Sequence, residues 1–248
     1  MKIPLGAVAV LVIAIVAAGA GWWFLIREDA KPKTNSQVIT DELKTAVASS
    51  AANAPAATST AGAVASDSGL TFTIVPEQSE ATYLAGETLA SLGVPSTAKG
   101  LTKEIAGTLY LAEDGWDLDP DNETKITVQL TNLKSDQDRR DNRVRAALGV
   151  ATFPEATFVA TGVSGVDETL AIDQEHTFQL TGIMTLHGVE KEVTWEVKAR
   201  RDGAILSALA TIKIAYADFG ITPPSIGGFV SVEGDVTLQL DIVATQAS

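Results

Sequence analysis

The chain contains no cysteine, which removes disulfide frameworks, thiol nucleophiles and cysteine-built zinc or iron–sulfur sites. That absence does not fix the compartment, because an oxidising space permits disulfides without requiring them. Histidine is nearly as scarce. His176 and His187 are the only two, and neither belongs to a metal-binding spacing such as H-E-x-x-H. Both fall in or beside expected turns and are read as solvated. Without cysteine, and with histidines so placed, no nucleophile–base constellation can be assembled. The 31 acids are too many for paired carboxylates to be diagnostic. No catalytic or metal-ligating residue is assigned, and the chain is not expected to be an enzyme. Basic residues are also few, with 18 Lys and Arg against those 31 acids and a net charge of −13. A nucleic-acid binder carries a basic footprint, so nucleic acid is not an expected partner. The acidity also discourages adhesion to anionic lipid heads, so any membrane contact must come from an apolar segment.

Such a segment is present. Residues 3–26 run without a charge and end in Trp22 and Trp23, before Arg27, Glu28 and Asp29. As a helix they span about 36 Å, longer than a hydrocarbon core of about 30 Å. A cleaved signal peptide has a shorter apolar core, of roughly 7–15 residues. Cleavage at Ala18-Gly19-Ala20 would leave an apolar new N-terminus beginning Gly21-Trp22-Trp23. An uncleaved transmembrane anchor over 1–26 is therefore expected. Lys2 precedes it and Arg27, Lys31 and Lys33 follow it, a count that by itself favours a cytoplasmic domain. The two-residue N-terminal tail and the long spacer instead place the folded domain outside, periplasmic or on the cell surface.

Residues 27–69 form that spacer. They hold few large apolar side chains and include the low-complexity stretch 46–62, rich in Ala, Ser and Thr. Such a composition cannot offset its ordering entropy by burial. The expectation is a flexible linker with at most a transient helical turn between Val38 and Val47.

From Leu70 the hydrophobic period becomes two. Phe72 and Ile74 alternate with Thr71 and Thr73. Ile126, Val128 and Leu130 alternate with Thr127 and Gln129. Val193, Trp195 and Val197 alternate with Thr194 and Glu196, and a long alternation runs from Val230 to Ile242. Each run has one dry and one wet face. Leu206–Tyr216 and Phe229–Val243 are longer than a common strand of about 5–6 residues. Long amphipathic antiparallel strands shed their edges by closing into a barrel. Gly182, Gly228 and Gly234 mark expected bulges or bends, and His187-Gly188 an expected tight turn. One helix interrupts the pattern. Ser135-Asp136-Gln137-Asp138 opens it with a capping residue and acids, the Arg139–Leu148 stretch continues it and Gly149 stops it. It is placed to lid one end of the barrel.

Four stretches, in order, carry a family resemblance. They are Phe72–Ser79, then Arg140–Arg145 followed by Phe153–Phe158, then Leu180–Val193, and last Ala217–Ile221 before the valine-rich final strand. In these the chain resembles the YceI-like family of lipid- and polyisoprenoid-binding proteins, over essentially all of 70–248. The resemblance implies an all-β domain, an extended antiparallel lipocalin-like barrel with a short helical lid. It implies binding of an isoprenoid lipid, a quinone or polyprenyl chain, in the interior for transport, storage or sequestration, and no cofactor beyond that lipid. On this basis the expected ligand contacts begin with Phe72, Tyr83, Val128 and Leu130. Arg140 and Val144 follow on the helix, then Phe153, Phe158, Leu180, Met184 and Trp195. Leu206, Ala208, Ile212, Phe219, Val236 and Leu238 complete the set. Family members often carry histidine where Arg143 stands, and a histidine-containing second strand where Tyr83–Glu87 stands, so the polar mouth of this chain is its own.

Other readings weigh against these. Apolar strand faces often make a filled core, which would leave a structural or interaction module of the cell envelope. Here small residues on the strands (Gly182, Ala208, Ala210 and Gly234) are expected to leave room inside. Four of the seven arginines lie between 139 and 145. They either face solvent or meet a phosphorylated head group. Pairing of Arg140 with Asp141 is preferred. Asp114, Asp117, Asp119 and Asp121 surround Trp116, but Glu123 comes too early for an EF-hand. That run is read as a solvated turn between strands, with weak adventitious calcium affinity. Nothing in the sequence signals the oligomeric state.

Overall fold

The computed structural model describes residues 30–53, 69–89, 94–167, 169–223 and 230–247. The expected anchor over 1–26 lies outside these residues. No helix among the described residues is long and apolar enough to cross a membrane. Gly228, an expected bend, also lies outside them.

Eleven strand segments and two α-helices stand among the described residues. The strands are β1 (Leu70–Ile74), β2 (Glu80–Leu89), β3 (Val94–Thr102), β4 (Ile105–Leu111), β5 (Lys125–Gln129), β6 (Lys134–Ser135), β7 (Glu155–Ser164), β8 (His176–Leu186), β9 (Val189–Asp202), β10 (Ile205–Ala215) and β11 (Val230–Gln246). The helices are α1 (Asp41–Asn53) and α2 (Asp138–Ala147). All strand pairs are antiparallel, and β1, β4, β5, β7, β8, β9, β10 and β11 close into a ring through β1–β11. β2, β3 and β6 extend β1, β4 and β5 beyond sharp bends and pair with one another in the same order. The eleven segments therefore make an antiparallel barrel of eight strands, as the alternating pattern predicts.

The bend between β1 and β2 is a single 3-10 turn, Pro76–Gln78, and it is pinned to β11. Val75 donates its amide to the Val243 carbonyl at 2.8 Å. The buried Ser79 hydroxyl accepts from the Val243 amide at 3.0 Å and donates to the Val75 carbonyl at 2.8 Å. The backbone groups freed by the bend thus keep partners, as buried ones must. β11 carries a second irregularity. Its register against β2 shifts between Val232 and Val236, where Gly234 has φ 76°. That conformation favours glycine and builds the expected bulge.

One end of the barrel is solid. Phe72, Leu109, Leu111, Phe178, Val197, Ala199, Leu206 and Ala244 belong to one buried cluster. Trp116, from the β4–β5 connection, packs over it, 4.3 Å from the His176 ring and edge-on to Phe178. The acidic run is therefore more than a solvated turn. Asp114 accepts from the Trp116 and Asp117 amides, and the buried Asp119 from the Asp121 amide and the Asn122 side chain. Among the described residues no group of His, Asp and Glu is arranged to hold a metal ion. His176 is not solvated either. It is buried beneath Trp116, with Nε2 3.1 Å from the Ala171 carbonyl. The reading of it as a turn residue failed because strand β8 begins at His176 itself, on an inward phase. His187 does sit in the β8–β9 turn, at φ 54°.

The spacer reading is corrected over residues 30–53. Residues from Lys31 onward join the barrel in one compact unit, so the folded domain does not begin at Leu70. Lys33 and Gln239 exchange hydrogen bonds, backbone amide to side-chain oxygen at 2.9 Å and side-chain nitrogen to backbone carbonyl at 2.8 Å. Lys33 also pairs with Glu80 and Asp241, and Gln37 donates to Asp241 and to the Gln78 carbonyl. Glu175 accepts from the Ser36 amide, the Ser36 hydroxyl, Asn35 and Arg200. Leu43 and Val47 of α1 then pack with Val75, Ile205 and Val243. This strap covers Gln239 and Asp241, both almost fully buried on the outer face of β11. Its order comes from polar groups meeting polar groups, which an apolar count cannot register. The expected transient turn over Val38–Val47 is in fact the three-turn helix α1.

Burial alone would raise the Glu175 carboxyl, but the hydrogen bonds from Ser36, Arg200 and Asn35 outweigh it and hold it down to about 2. A depressed folded-state value means that the strap gains stability from Glu175 above the ordinary value of 4.5 and loses it as pH falls toward about 2. The protection factor of the Ser36 amide, its exchange rate relative to an unstructured chain at the same pH, should therefore fall between pH 4.5 and 2.5. In the Glu175→Gln variant that protection factor should be lower than wild type at pH 7 and change little further on acidification.

Candidate ligand cavity

The other end of the barrel is hollow, with a cavity of about 160 Å³. Its wall is set by strand alternation. β2 contributes Ala81, Tyr83, Ala85 and Glu87. β5 contributes Ile126 and Val128, and β7 contributes Ala156 and Phe158. Met184 and Leu186 come from β8, Trp195 from β9, and Ile214 from β10. β11 adds Val236, Leu238 and Leu240. Ala98 and Thr102 of β3, Leu130, Leu133, Tyr216 and Ile221 from the connections, and Thr82, Thr157 and Gln239 from the strands complete the barrel side. Ala81, Ala85, Ala98 and Ala156 are small side chains in this wall and leave room beside Phe158, Met184 and Trp195.

The roof is α2, which lays Arg140, Val144, Ala147 and the following Leu148 over the cavity. It is needed because β6 has only two residues and is the last strand in its branch of the sheet. The helix begins at Asp138, later than its sequence suggests. Ser135, the expected cap, lies in β6, and its hydroxyl and amide go to Asp141 at 2.6 and 2.8 Å. Gln137 holds the cap position without a side-chain bond. Gly149 ends the helix at φ 58°, as expected.

Arg140 latches the roof to the wall. Its Nε and Nη2 donate to the two carboxylate oxygens of Glu87 at 3.1 and 3.3 Å, and Nη1 donates to Asp136. A two-pronged charged contact of this kind is the strongest that arginine makes. The preferred Arg140–Asp141 pairing is thus corrected. Asp141 is occupied by Ser135, and the guanidinium reaches across to β2 instead. Burial works against the Arg140 charge, but Glu87 and Asp136 outweigh it and hold the guanidinium above its usual value. Burial pushes the Tyr83 and Tyr216 phenols up to about 12. Both are neutral at physiological pH.

Ten of the sequence-predicted contacts line this cavity: Tyr83, Val128, Leu130, Arg140, Val144, Phe158, Met184, Trp195, Val236 and Leu238. The other seven lie elsewhere. Phe72 and Leu206 fill the solid end, with Ala208 packed beside them. Ile212 is inward but packs in the core next to Leu238, its β11 partner. Leu180 pairs with Trp195 and Val163. Phe219 is buried in the 3-10 turn Tyr216–Phe219. Phe153 stacks edge-on against His187 at 5.4 Å. Two expected space-makers also fail. A Cβ on Gly182 would lie 2.2 Å from the Val159 carbonyl and 2.6 Å from the Phe158 ring, so that gap is already filled. Gly234 is exposed at the bulge. Sequence reasoning missed Glu87, Tyr216 and the four alanines. Glu87 was readable, because it shares the inward phase of Ala81, Tyr83 and Ala85, where a carboxylate needs a partner.

Removing one member of the latch should cost more than removing both. Glu87→Leu leaves a buried guanidinium with only Asp136 and a long 3.4 Å bond to the Ser135 hydroxyl, and should lower unfolding free energy by about 3 kcal/mol in urea titration. The Glu87→Leu/Arg140→Met double variant should recover most of that loss.

Comparison with known proteins bears on the barrel as a whole. The sequence pattern of the YceI-like domain matches residues 72–244. The YceI protein of Salmonella arizonae is 34% identical over 149 residues, spanning 54% of this chain and 72% of that protein. A polyisoprenoid binding domain from Saccharophagus degradans superposes with a TM-score of 0.54 at 15% identity, over 72% of this chain and 99% of that one. Burkholderia cenocepacia BcnA superposes at 0.51 with 18% identity, over 69% and 99%. At these identities the two structures speak to the fold.

Proposed function

The chain belongs to the YceI-like domain family, and from that premise we propose that it binds an isoprenoid lipid, a quinone or polyprenyl chain, inside its barrel. One observation carries the proposal: the apolar, alanine-walled cavity beneath α2. A packed structural module would fill that end as Phe72 and Phe178 fill the other. The Saccharophagus degradans domain of similar fold is described as polyisoprenoid binding, which supports the same ligand class here. The reading is one of binding rather than catalysis.

Size constrains how the ligand sits. A cavity of about 160 Å³ is close to the engineered void of about 150 Å³ that accepts benzene. It therefore takes about one five-carbon isoprene unit with the side chains as placed. Burial of five carbons at about 0.8 kcal/mol each contributes about 4 kcal/mol, a millimolar affinity by itself. Firm binding needs several units buried, so the rest of the chain must pass under or displace α2. Met184, on the wall, is the side chain best suited to move aside.

The membrane assignment completes the proposal. The apolar run over 3–26 is the support for a single-pass anchor, and the proposal is completed by an extracytoplasmic domain that takes its ligand from the adjacent bilayer. Protease accessibility on intact cells tests the orientation, and protection until lysis would overturn it.

The ligand test uses the full chain purified in detergent, with mass spectrometry of the extracted lipid. An isoprenoid lipid should be recovered in near-stoichiometric amount. Ala156→Leu should fill the cavity and cut recovery at least fivefold, with the circular dichroism spectrum unchanged. Protein that carries no lipid, and takes up none from membrane extracts after delipidation, would leave the barrel as a structural module.

A further inference from the structure

The roof of the cavity belongs to one excursion of the chain between two paired strands. β5 and β7 run side by side over five residue pairs, from Lys125–Val159 to Gln129–Glu155. Leu130 then donates its amide to the Pro154 carbonyl at 2.8 Å. Residues 131–153 leave the sheet and return at this neck, and both β6 and α2 lie on that excursion.

The flap so formed is tied together internally. Asp141 accepts from the Ser135 hydroxyl and amide, Arg145 donates to the Leu133 carbonyl at 3.0 Å, and Arg140 donates to Asp136. Its two sides are held differently. On the side of β7 and β8, Val150 is part of the buried core. The Thr152 and Phe153 amides donate to the Gly149 carbonyl at 2.8 and 2.9 Å and close a turn. The Phe153 ring seats on the β8–β9 turn, edge-on to His187 at 5.4 Å. It lies so close to Gly188 that a Cβ there would come within 2.5 Å of it. On the far side, β6 meets β3 through two residue pairs, Gly100–Ser135 and Leu101–Lys134, and Arg140 reaches β2 through Glu87.

The far seam is polar. Arg140 and Glu87 are both buried, so their pairing has already cost them their hydration. Opening breaks two charge-assisted bonds but returns both ions to water, and the two effects nearly offset. An apolar seam would have no such return, because opening it would only wet hydrocarbon. A buried ion pair therefore makes a contact that is specific when closed and opens at little net cost.

We propose that residues 131–153 form a hinged lid over the cavity, and that its opening toward β2 and β3 sets the rate of ligand entry. The hinge is the Leu130–Pro154 neck with the Phe153 seat, and the latch is Arg140–Glu87. The role in entry rests on the lipid-binding reading above, whereas the hinge and latch stand without it.

The absence of cysteine lets the motion be read with paired spin labels on engineered cysteines in the full chain. One pair, Arg139→Cys with Gly86→Cys, spans the latch seam. The other, Thr152→Cys with Glu190→Cys, spans the hinge. All four positions are exposed. Glu87→Gln keeps the side-chain shape and removes one charge. It should add a longer population to the first distance distribution and leave the second unchanged. Glu87→Leu/Arg140→Met makes the seam apolar and should narrow the first distribution. Entry is followed by stopped-flow mixing of the delipidated full chain with a prenyl alcohol bearing a nitrobenzoxadiazole fluorophore. Glu87→Gln should take up this probe about tenfold faster than wild type, and the double variant about tenfold more slowly. A first distance that neither variant changes, or a second that lengthens with it, would overturn the hinged lid. Uptake unchanged in both variants would overturn the latch as the gate while leaving lipid binding intact. A probe that enters none of the three chains would overturn the lipid reading and the gating with it, and the two distances would still decide the lid.

Discussion

Closure of the barrel depends on one strand. β11 is 17 residues long and pairs with β10 along eleven consecutive residues, from Ala215–Asp235 to Ile205–Thr245. Its other edge is divided, the early part taken by β2 and the last residues by β1. A straight strand cannot serve two partners that diverge at a bend. The Gly234 bulge adjusts the register on one side of the division, and Ser79 ties the bend to Val243 on the other. The same bend sends β2 and β3 on to form the hollow end, while β1 and β4 stay with the solid one. The boundary between packed core and cavity thus follows from how β11 shares its hydrogen bonds.

The two ends then differ in side-chain volume and in how the wall is closed. Inward positions alternate in the same way throughout, and around the cavity the large side chains are interspersed with Ala81, Ala85, Ala98 and Ala156. The hollow end also lacks a full-length wall, since β6 is two residues long, and a helix must stand in for the missing strand. A helix cannot join the ladder, so it is fastened by side chains, with Arg140 and Asp141 both buried at the seam. A roof held by a few side chains can lift without breaking the sheet, which suits a ligand longer than the cavity.

Most of the fold was legible because a period of two is a strong signal when strands are this long. The barrel, the His187-Gly188 turn, the Gly234 bulge and the helix stopped by Gly149 could all be read from local pattern. The site was legible in part. Phase identified Tyr83, Phe158, Met184, Trp195, Val236 and Leu238 as inward, yet the same phase places Phe72 and Leu206 inward too. Phase says which face a residue takes, whereas the cavity depends on height along the barrel, and height depends on bends and register that single strands do not declare. The Arg140–Glu87 contact joins residues 53 apart in sequence and leaves no periodic trace. The strap was hidden for a different reason. Its fit relies on reciprocal hydrogen bonds to Gln239, Asp241 and Glu175, whose own burial was invisible while the residues covering them were read as linker.

That strap also changes where the domain would bear a mechanical load. If the N-terminal end of the chain is pulled, the tension does not reach β1, whose pairing closes the ring. It is taken first at Lys33 and Ser36, on the outer wall, by bonds to β11, to Arg200 of β9 and to Glu175 just before β8. Force applied there is spread along several strands lying side by side and shears them together. The seam at β1, which would otherwise unzip residue by residue, is shielded by a segment that contributes no strand to the barrel.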